Sequence, residues 1–166
     1  MVKCRMRFML AFLMMSAVVL GQAAPTLQFR GTGSTHVAIE PAPAAVDAAA
    51  GAKVSLTIDV TPKPGIHVYA PGSSEFYMPI DLKLDPNPAV KAGKVVYPKS
   101  EVMTFADEKV PVFQKPFKLT EDVTIAKAAK SGSAISVSGT VHLQACDDKV
   151  CFPPESVPVA WTINVK

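Results

Sequence analysis

Two closely spaced cysteines are the residues of this chain with the most distinctive chemistry. The stretch QACDDKVCFPPE, residues 144–155, holds Cys146 and Cys151, two of the three cysteines in the chain, with four residues between them. Cysteine sulfur forms stable disulfides, exchanges with the disulfides of other proteins, or binds soft metal ions. This spacing is compatible with a structural staple, a redox couple or a metal site, and the surrounding sequence has to distinguish them.

The cysteine pair lies between two predicted strands. Residues 134–145 and 157–165 alternate apolar and polar side chains, which is typical of half-buried strands. Because they are close in sequence, we expect them to pair antiparallel, with residues 147–150 as the turn. Facing Cα atoms then lie about 4.5–5.5 Å apart, which suits a disulfide. Such a bond closes a loop of about six residues and gains only roughly 2 kcal/mol in the chain-entropy model, which weakens the staple interpretation without removing it.

Strand parity predicts an accessible first cysteine. Leu143 takes the core face, so Gln144 and Cys146 point away from the core if the strand stays regular. A disulfide at an accessible loop tip is open to attack by the thiolate of a partner. The two aspartates of the turn disfavour a thiolate and its lysine offsets them only in part, so we expect a thiol that is sluggish until a partner docks.

A metal site is the weakest of the three interpretations. His142 and Cys146 are four residues apart on a strand, about 13 Å, which is too far for them to share a metal ion without a bend. A fourth ligand is not evident. We therefore predict no metal and no cofactor, and interpret His142 and His36 as exposed strand residues.

The first 23 residues have the features of a secretory signal peptide. Three basic residues precede the thirteen-residue apolar stretch 8–20, and small residues follow it, so we expect cleavage after Ala23 or Ala24. Cleavage removes three positive charges and Cys4, and lowers Lys plus Arg from 17 to 14, equal to the 14 acidic residues. A neutral mature chain gives no reason to expect binding to nucleic acid or to a membrane surface. The mature protein is predicted to be soluble and to lie outside the cytoplasm, where a disulfide can persist.

The remaining chain is predicted to be one all-β domain, residues 35–166, after a flexible lead-in at 24–34. Seven to nine short strands separated by turn signals, with fifteen prolines that bar long helices, predict an antiparallel β-sandwich. Residues 41–51 are rich in alanine and proline and are interpreted as a loop. Residues 121–130 are a weak helix candidate, with strand or loop equally compatible, and Gly139 is interpreted as a bulge or bend.

Three segments resemble the N-terminal periplasmic domain of DsbD, the thiol:disulfide interchange protein. The most specific is VSGTVHLQACDDKVCFPPE, which shares with that family Gln144, both cysteines and the run Phe-Pro-Pro-Glu, while Leu143 replaces a tyrosine. PGIHVYAPG and YPKSEVMTFADEKVPVF support it. The resemblance covers residues 52–166 and implies an immunoglobulin-like β-sandwich with a redox hairpin at one end.

The resemblance also implies roles for individual residues. Cys151 would exchange with partners and Cys146 would resolve the mixed disulfide. Phe105 matches the aromatic residue of a cap loop over the cysteines. The residues expected to line the site are Tyr69, His67, Gln144, Phe152 and Pro153.

The function implied by the resemblance is disulfide reduction and exchange between periplasmic proteins. Partners would be thioredoxin-like proteins, including those of cytochrome c maturation, and a membrane electron donor. Because the chain ends at Lys166 without a membrane or thioredoxin-like part, we expect that donor to act in trans. The alternative is a non-catalytic, immunoglobulin-like binding module in which the disulfide is a fixed clip.

Overall fold

The computed structural model describes residues 34–73, 75–105 and 107–166. The expected signal peptide, Cys4 and all but the last residue of the expected lead-in lie outside this part of the chain. The described residues form twelve strands and no helix, which confirms the all-β prediction. The strands are β1 (Val37–Pro41), β2 (Ala45–Ala48), β3 (Lys53–Pro62), β4 (His67–Tyr69), β5 (Asp81–Leu84), β6 (Val90–Val96), β7 (Glu101–Phe105), β8 (Glu108–Phe113), β9 (Phe117–Ile125), β10 (Ala134–Leu143), β11 (Ala145–Cys146) and β12 (Glu155–Val165).

The strands form three four-stranded sheets, two of which build the sandwich. The first sheet has the order β1-β3-β9-β6, the second β2-β12-β10-β5 and the third β11-β4-β8-β7. Alternate residues of the first two sheets are buried in one shared hydrophobic cluster. Trp161 of β12 lies at its centre and donates a hydrogen bond from Nε1 to the carbonyl oxygen of Thr57 on β3, 3.2 Å away. The immunoglobulin-like sandwich predicted above is confirmed.

The pairing of β10 with β12 places the cysteines. Ten residue pairs connect these strands, from Ala134 opposite Asn164 to Leu143 opposite Glu155. The predicted antiparallel hairpin is therefore confirmed, and the cysteines lie in the segment that joins its two strands.

The prediction of a bulge or bend at Gly139 is wrong, because β10 continues through this residue in regular register. A Cβ atom at this position would lie 2.8 Å from the carbonyl oxygen of Lys83 on β5. The glycine is required because β5 approaches the backbone of β10 too closely for a side chain.

Three other details differ from the predictions. Part of the predicted loop 41–51 is strand β2, which pairs with β12 as a parallel neighbour. Alanine disfavours strands intrinsically, so this short strand depends on hydrogen bonds to the edge of an existing sheet. Strand β7 was also missed. Of the alternatives left open for residues 121–130, helix is wrong and strand and loop are correct, because β9 continues to Ile125 and a turn follows.

One acidic side chain is buried in the sandwich. Glu121 of β9 is 5% exposed, and its Oε2 atom has no hydrogen-bond partner among the described residues. Burial raises the pKa of the Glu121 carboxyl, and the negative charge of the nearby Asp81 raises it further by a smaller amount. Asp81 also accepts a 2.9 Å hydrogen bond from the hydroxyl of Tyr97. The fold therefore favours the neutral form of Glu121.

We expect Glu121→Gln to raise the free energy of unfolding at neutral pH by about 1–2 kcal/mol, because the amide avoids burying a carboxylate. In the native chain the raised folded-state pKa gives a stabilising contribution that is complete below about pH 4.3, the ordinary glutamate pKa. That contribution is lost as the pH rises. Urea unfolding at about pH 4 and about pH 7 measures the difference.

The exposed residue Glu40 of β1 provides the matched control for this comparison. Glu40→Gln should leave the stability nearly unchanged at both pH values. A gain for Glu121→Gln that is the same at acidic and neutral pH would contradict the assignment.

Candidate active site at the cysteine hairpin

The cysteine hairpin crosses from the sandwich into the third sheet. Strand β10 ends at Leu143, and the next two strand residues, Ala145 and Cys146, pair with β4 of the third sheet, where Cys146 lies opposite His67. Cys146 also forms an isolated antiparallel bridge with Cys151. The two cysteines form a disulfide with a Cα–Cα distance of 4.0 Å. The turn predicted between them therefore brings them face to face.

The two cysteines differ in accessibility. Cys146 is 1% exposed, whereas Cys151 is exposed. The prediction that Cys146 faces an accessible surface is wrong, because strand parity is broken at Gln144, where the chain changes sheets. As a result Ala145 and Cys146 are both buried. A large partner that approaches from solvent meets Cys151 first.

The turn between the cysteines is held by its first aspartate. The amide of Asp147 donates a 2.9 Å hydrogen bond to the carbonyl oxygen of Val150. Its Oδ1 atom accepts hydrogen bonds from the amides of Lys149, at 2.7 Å, and Val150, at 2.8 Å. These two bonds lower the pKa of the Asp147 carboxyl, and the bond from Val150 has the larger effect. The carboxylate thus stabilises the turn while its charge remains beside the disulfide.

Tyr69 of β4 places its hydroxyl between the two sulfurs. The oxygen lies 3.3 Å from Sγ of Cys151 and 3.4 Å from Sγ of Cys146. Because sulfurs in a disulfide carry no proton, the hydroxyl is the donor in both contacts. Burial raises the pKa of this hydroxyl, and the nearby Tyr77 and Glu108 raise it further by smaller amounts. Tyr69 therefore stays protonated and can donate to either sulfur.

His67 lies on the same strand behind the disulfide. It is 3% exposed, and its ring contacts that of Tyr69 edge-on with centroids 5.6 Å apart. Burial lowers the pKa of the imidazole, and Asp148 and Asp147 oppose this effect less strongly. The ring is therefore neutral at neutral pH. The resemblance placed Tyr69 and His67 at the site, and both are beside it.

A second group of side chains surrounds Tyr69. The ring of Tyr77 stacks on that of Tyr69 with centroids 4.3 Å apart, and its hydroxyl is 3.5 Å from Oε2 of Glu108. Met103 packs against the cluster that contains Tyr69 and Cys146. Phe105, the expected cap residue, ends β7 opposite Glu108 and is 41% exposed. Its role as a cap stays a prediction.

Sequence reasoning did not identify Tyr77, Met103 or Glu108 as site residues. They are distant from the cysteines along the chain and follow no common spacing. Aromatic residues in a loop between two predicted strands were the one available signal for Tyr77.

The segment after Cys151 is anchored on both sides. The Phe152 amide donates to the carbonyl oxygen of Ala145 at 2.9 Å, and its own carbonyl accepts a 3.1 Å hydrogen bond from Nε2 of Gln144. The His36 ring stacks on that of Phe152 with centroids 3.7 Å apart. Pro153, the next residue, is exposed. Gln144 and Phe152 thus join the chain before Cys146 to the chain after Cys151.

The two histidines interpreted as exposed strand residues have specific contacts. His36 is only partly exposed and precedes β1, and its Nδ1 atom lies 3.8 Å from Oε1 of Glu155. That interpretation of His36 is therefore wrong, because the Phe152 ring covers it. His142 is on β10 as expected, also partly exposed, and its Nδ1 atom lies 2.9 Å from Oγ of Ser156.

Metal and membrane features were sought in the part of the chain that the structure describes. Residues 34–73, 75–105 and 107–166 contain no group of three or more histidine, cysteine, aspartate or glutamate residues arranged to hold a metal ion. These residues also include no helix with the length and apolar character needed to cross a membrane.

The comparison with protein families identifies the domain. The family described as "Thiol:disulfide interchange protein DsbD, N-terminal" matches residues 35–161. The chain belongs to this family. The match spans all twelve strands except the end of β12 and includes both cysteines, so the resemblance noted from the sequence is confirmed.

One solved structure is similar to this chain at the level of the fold. The N-terminal periplasmic domain of ScsB from Proteus mirabilis is 13% identical with a TM-score of 0.52, over 76% of this chain and 47% of that one. The chain thus spans about half the length of that structure. The reduced DsbD N-terminal domain of Neisseria meningitidis is 19% identical with a TM-score of 0.44, over 69% and 82% of the two chains. A comparison with curated protein sequences finds no match.

We expect Tyr69→Phe to slow the alkylation of the reduced hairpin by iodoacetamide about 10-fold at neutral pH. The reacting thiolate loses a hydrogen-bond donor, and a bond to a charged group contributes about 1.5–3 kcal/mol. Stopped-time labelling followed by mass spectrometry measures the rate.

Tyr77→Phe is the matched control, because that hydroxyl faces Glu108 and not the sulfurs. It should leave the alkylation rate within about twofold of the wild-type rate. Equal slowing in both variants would show that the position of the Tyr69 hydroxyl is not what matters.

Proposed function

We propose that the domain exchanges electron pairs with partner proteins through the Cys146–Cys151 disulfide, outside the cytoplasm. The observation that carries this proposal is the asymmetry of the pair: Cys151 is exposed while Cys146 is 1% exposed. A structural disulfide has no need for one accessible sulfur. An exchanging pair needs one sulfur that partners can reach and one that they cannot.

Reduction of the domain begins at the exposed sulfur. A thiolate of the donor attacks Sγ of Cys151, a donor–Cys151 disulfide forms, and Cys146 leaves as a thiolate. The Tyr69 hydroxyl, 3.4 Å from that sulfur, donates to the developing negative charge. A second donor thiolate then attacks the donor sulfur of the mixed disulfide and releases Cys151. Two electrons and two protons pass to the domain, and the donor becomes a disulfide.

Delivery to a client is the reverse sequence. The Cys151 thiolate attacks the client disulfide and releases one client thiolate, which takes up a proton. Cys146 then attacks Cys151 in the mixed disulfide, which reforms the internal bond and releases the second client thiol. The Cα–Cα distance of 4.0 Å between the cysteines keeps the resolving sulfur close at hand. No cofactor takes part in these steps.

We further propose the periplasm as the compartment, with export directed by the expected signal peptide. Membership of the DsbD N-terminal family, with the match over residues 35–161, supports this location. The proposed partners are a membrane electron donor and thioredoxin-like clients, including cytochrome c maturation proteins. The paired cysteines in an oxidising compartment fit such a relay.

We expect the wild-type pair to equilibrate with glutathione buffers at a midpoint between about −270 and −120 mV, the span of soluble thiol–disulfide oxidoreductases. Such a potential allows both uptake and delivery of electrons. A midpoint below about −300 mV would instead support the alternative, an immunoglobulin-like binding module with a fixed clip.

Two single-cysteine variants form a matched pair for this experiment. Cys146→Ala, which keeps the exposed Cys151, should form a mixed disulfide with oxidised glutathione at least about 10-fold faster than Cys151→Ala, which keeps the buried sulfur. Equal rates would contradict the assignment of Cys151 as the exchanging residue.

We propose, in addition, that Phe105 covers the disulfide until a partner docks. It ends β7 opposite Glu108, whose carboxylate lies beside Tyr77, and Tyr77 stacks on Tyr69. Its exposure of 41% leaves the ring free to move away. The cover would slow the reaction with small thiols and favour partners that displace it.

We expect Phe105→Ala to speed reduction of the disulfide by dithiothreitol about 5-fold, the effect of losing about 1 kcal/mol of closing contacts. Val102→Ala is the control, because Val102 is exposed on the same strand but on its opposite face. A rate unchanged by Phe105→Ala would rule out the cover.

A further inference from the structure

We propose that an apolar patch with an acidic rim around Cys151 is a docking surface for a partner with basic residues around an apolar contact point. This inference rests on the proposed function and concerns the chemistry of the partner. We define the apolar patch as Phe76, Phe105 and Val150. We define the acidic rim as Glu75, Asp107, Glu108, Asp147 and Asp148.

The apolar patch consists of large side chains that the fold leaves in solvent. Phe76 is 85% exposed, Val150 is 54% exposed and Phe105 is 41% exposed. Exposed groups of large apolar residues typically mark interaction sites. Val150 precedes the exposed residue Cys151, so a partner that reaches Cys151 also meets Val150.

A series of side-chain contacts connects the segments that carry Phe76 and Phe105 to the Sγ atom of Cys151. Phe76 precedes Tyr77, whose ring stacks on that of Tyr69, and the Tyr69 hydroxyl is 3.3 Å from Sγ of Cys151. Phe105 pairs with Glu108, and the Glu108 carboxylate is 3.5 Å from the Tyr77 hydroxyl. The segments that carry Phe76 and Phe105 are therefore linked to the disulfide through the side chains of Tyr77 and Tyr69.

The charges of the segments that carry the patch have one predominant sign. Five of the fourteen acidic residues in the chain form the rim, whereas the same segments carry two lysines, Lys109 and Lys149. Four of the five rim residues are exposed, and Asp147 is partly exposed. The field of the rim reaches the site itself: Glu108 raises the pKa of the Tyr69 hydroxyl, and Asp148 and Asp147 act to raise that of His67.

The complementary partner has an apolar or aromatic residue beside its cysteine, surrounded by lysine or arginine. Charge of this sign favours encounter with cationic partners and disfavours anionic ones. A basic partner also offsets the disadvantage noted from the sequence, that acidic neighbours disfavour a thiolate at Cys151. A basic partner neutralises these neighbours on docking, so the sulfur becomes reactive in the complex and stays sluggish outside it.

Charged peptide thiols test the proposal with the wild-type domain. The probes are three acetylated peptide amides, Lys-Phe-Cys-Lys, Lys-Ser-Cys-Lys and Glu-Phe-Cys-Glu, and the measured quantity is the rate of mixed-disulfide formation with Cys151, corrected for the thiolate fraction of each peptide. At about 0.01 M ionic strength we expect Lys-Phe-Cys-Lys to react on the order of 10-fold faster than Glu-Phe-Cys-Glu. It should also react about 3-fold faster than the serine peptide. At about 1 M salt the charge effect should fall below about 2-fold.

Matched variants locate the effect. Asp148→Asn should reduce the preference for the cationic peptide by about half, whereas Glu40→Gln, an exposed acid on β1, should not change it. Phe76→Ser should remove the preference for the phenylalanine peptide, whereas Val96→Ser, an exposed apolar residue on a strand of another sheet, should keep it.

The possible outcomes separate this proposal from the proposed function. Equal rates for all three peptides, with dithiothreitol still opening the disulfide, would overturn the docking surface and leave exchange at Cys151 intact. A disulfide that neither the peptides nor dithiothreitol open would overturn the proposed function together with the surface. A preference for the anionic peptide would overturn the charge assignment.

Discussion

The backbone hydrogen bonds between β10 and β12 are the constraint on which the site depends. Ten residue pairs fix the two strands in one register, and the register ends at Leu143 opposite Glu155. Every residue between these ends must fit into the gap that the two strands leave open. The turn, the disulfide and the short strand β11 all lie in that gap. The sandwich core, centred on Trp161, stabilises this register because a slip by one residue would turn each buried side chain outward.

The third sheet covers one cysteine of the hairpin and supplies the side chain that contacts both sulfurs. Strand β11 leaves the sandwich and pairs with β4, so Cys146 is covered and the Tyr69 hydroxyl meets both sulfurs. On the other side, Gln144 and Phe152 hold the chain where it returns to β12. Contacts to Tyr69 and between the two ends of the hairpin thus hold the disulfide, while Cys151 is exposed. Both the proposed exchange and the proposed docking surface depend on this exposure.

Local patterns in the sequence were sufficient for the parts of the fold with regular alternation. The strands β10 and β12, the turn between the cysteines and the all-β class followed from periodicity and turn residues. The burial of Cys146 did not, because it depends on a change of sheet at Gln144 that no local pattern marks. The alanine-rich strand β2 exists through pairing with a distant edge. The placement of Tyr69 and His67 came from family resemblance, since their contacts with the hairpin are long-range.

The burial of Cys146 has a consequence for what controls the ease of opening the disulfide. In the proposed exchange, attack at Cys151 makes Cys146 the leaving group, so the new charge appears on an atom that is 1% exposed. Water cannot solvate it well, and the protein must do so through the Tyr69 hydroxyl. The interior of the third sheet therefore determines how readily Cys146 leaves as a thiolate. The surface around Cys151 determines which partner thiolates can attack. Selection can change one of these properties with little effect on the other.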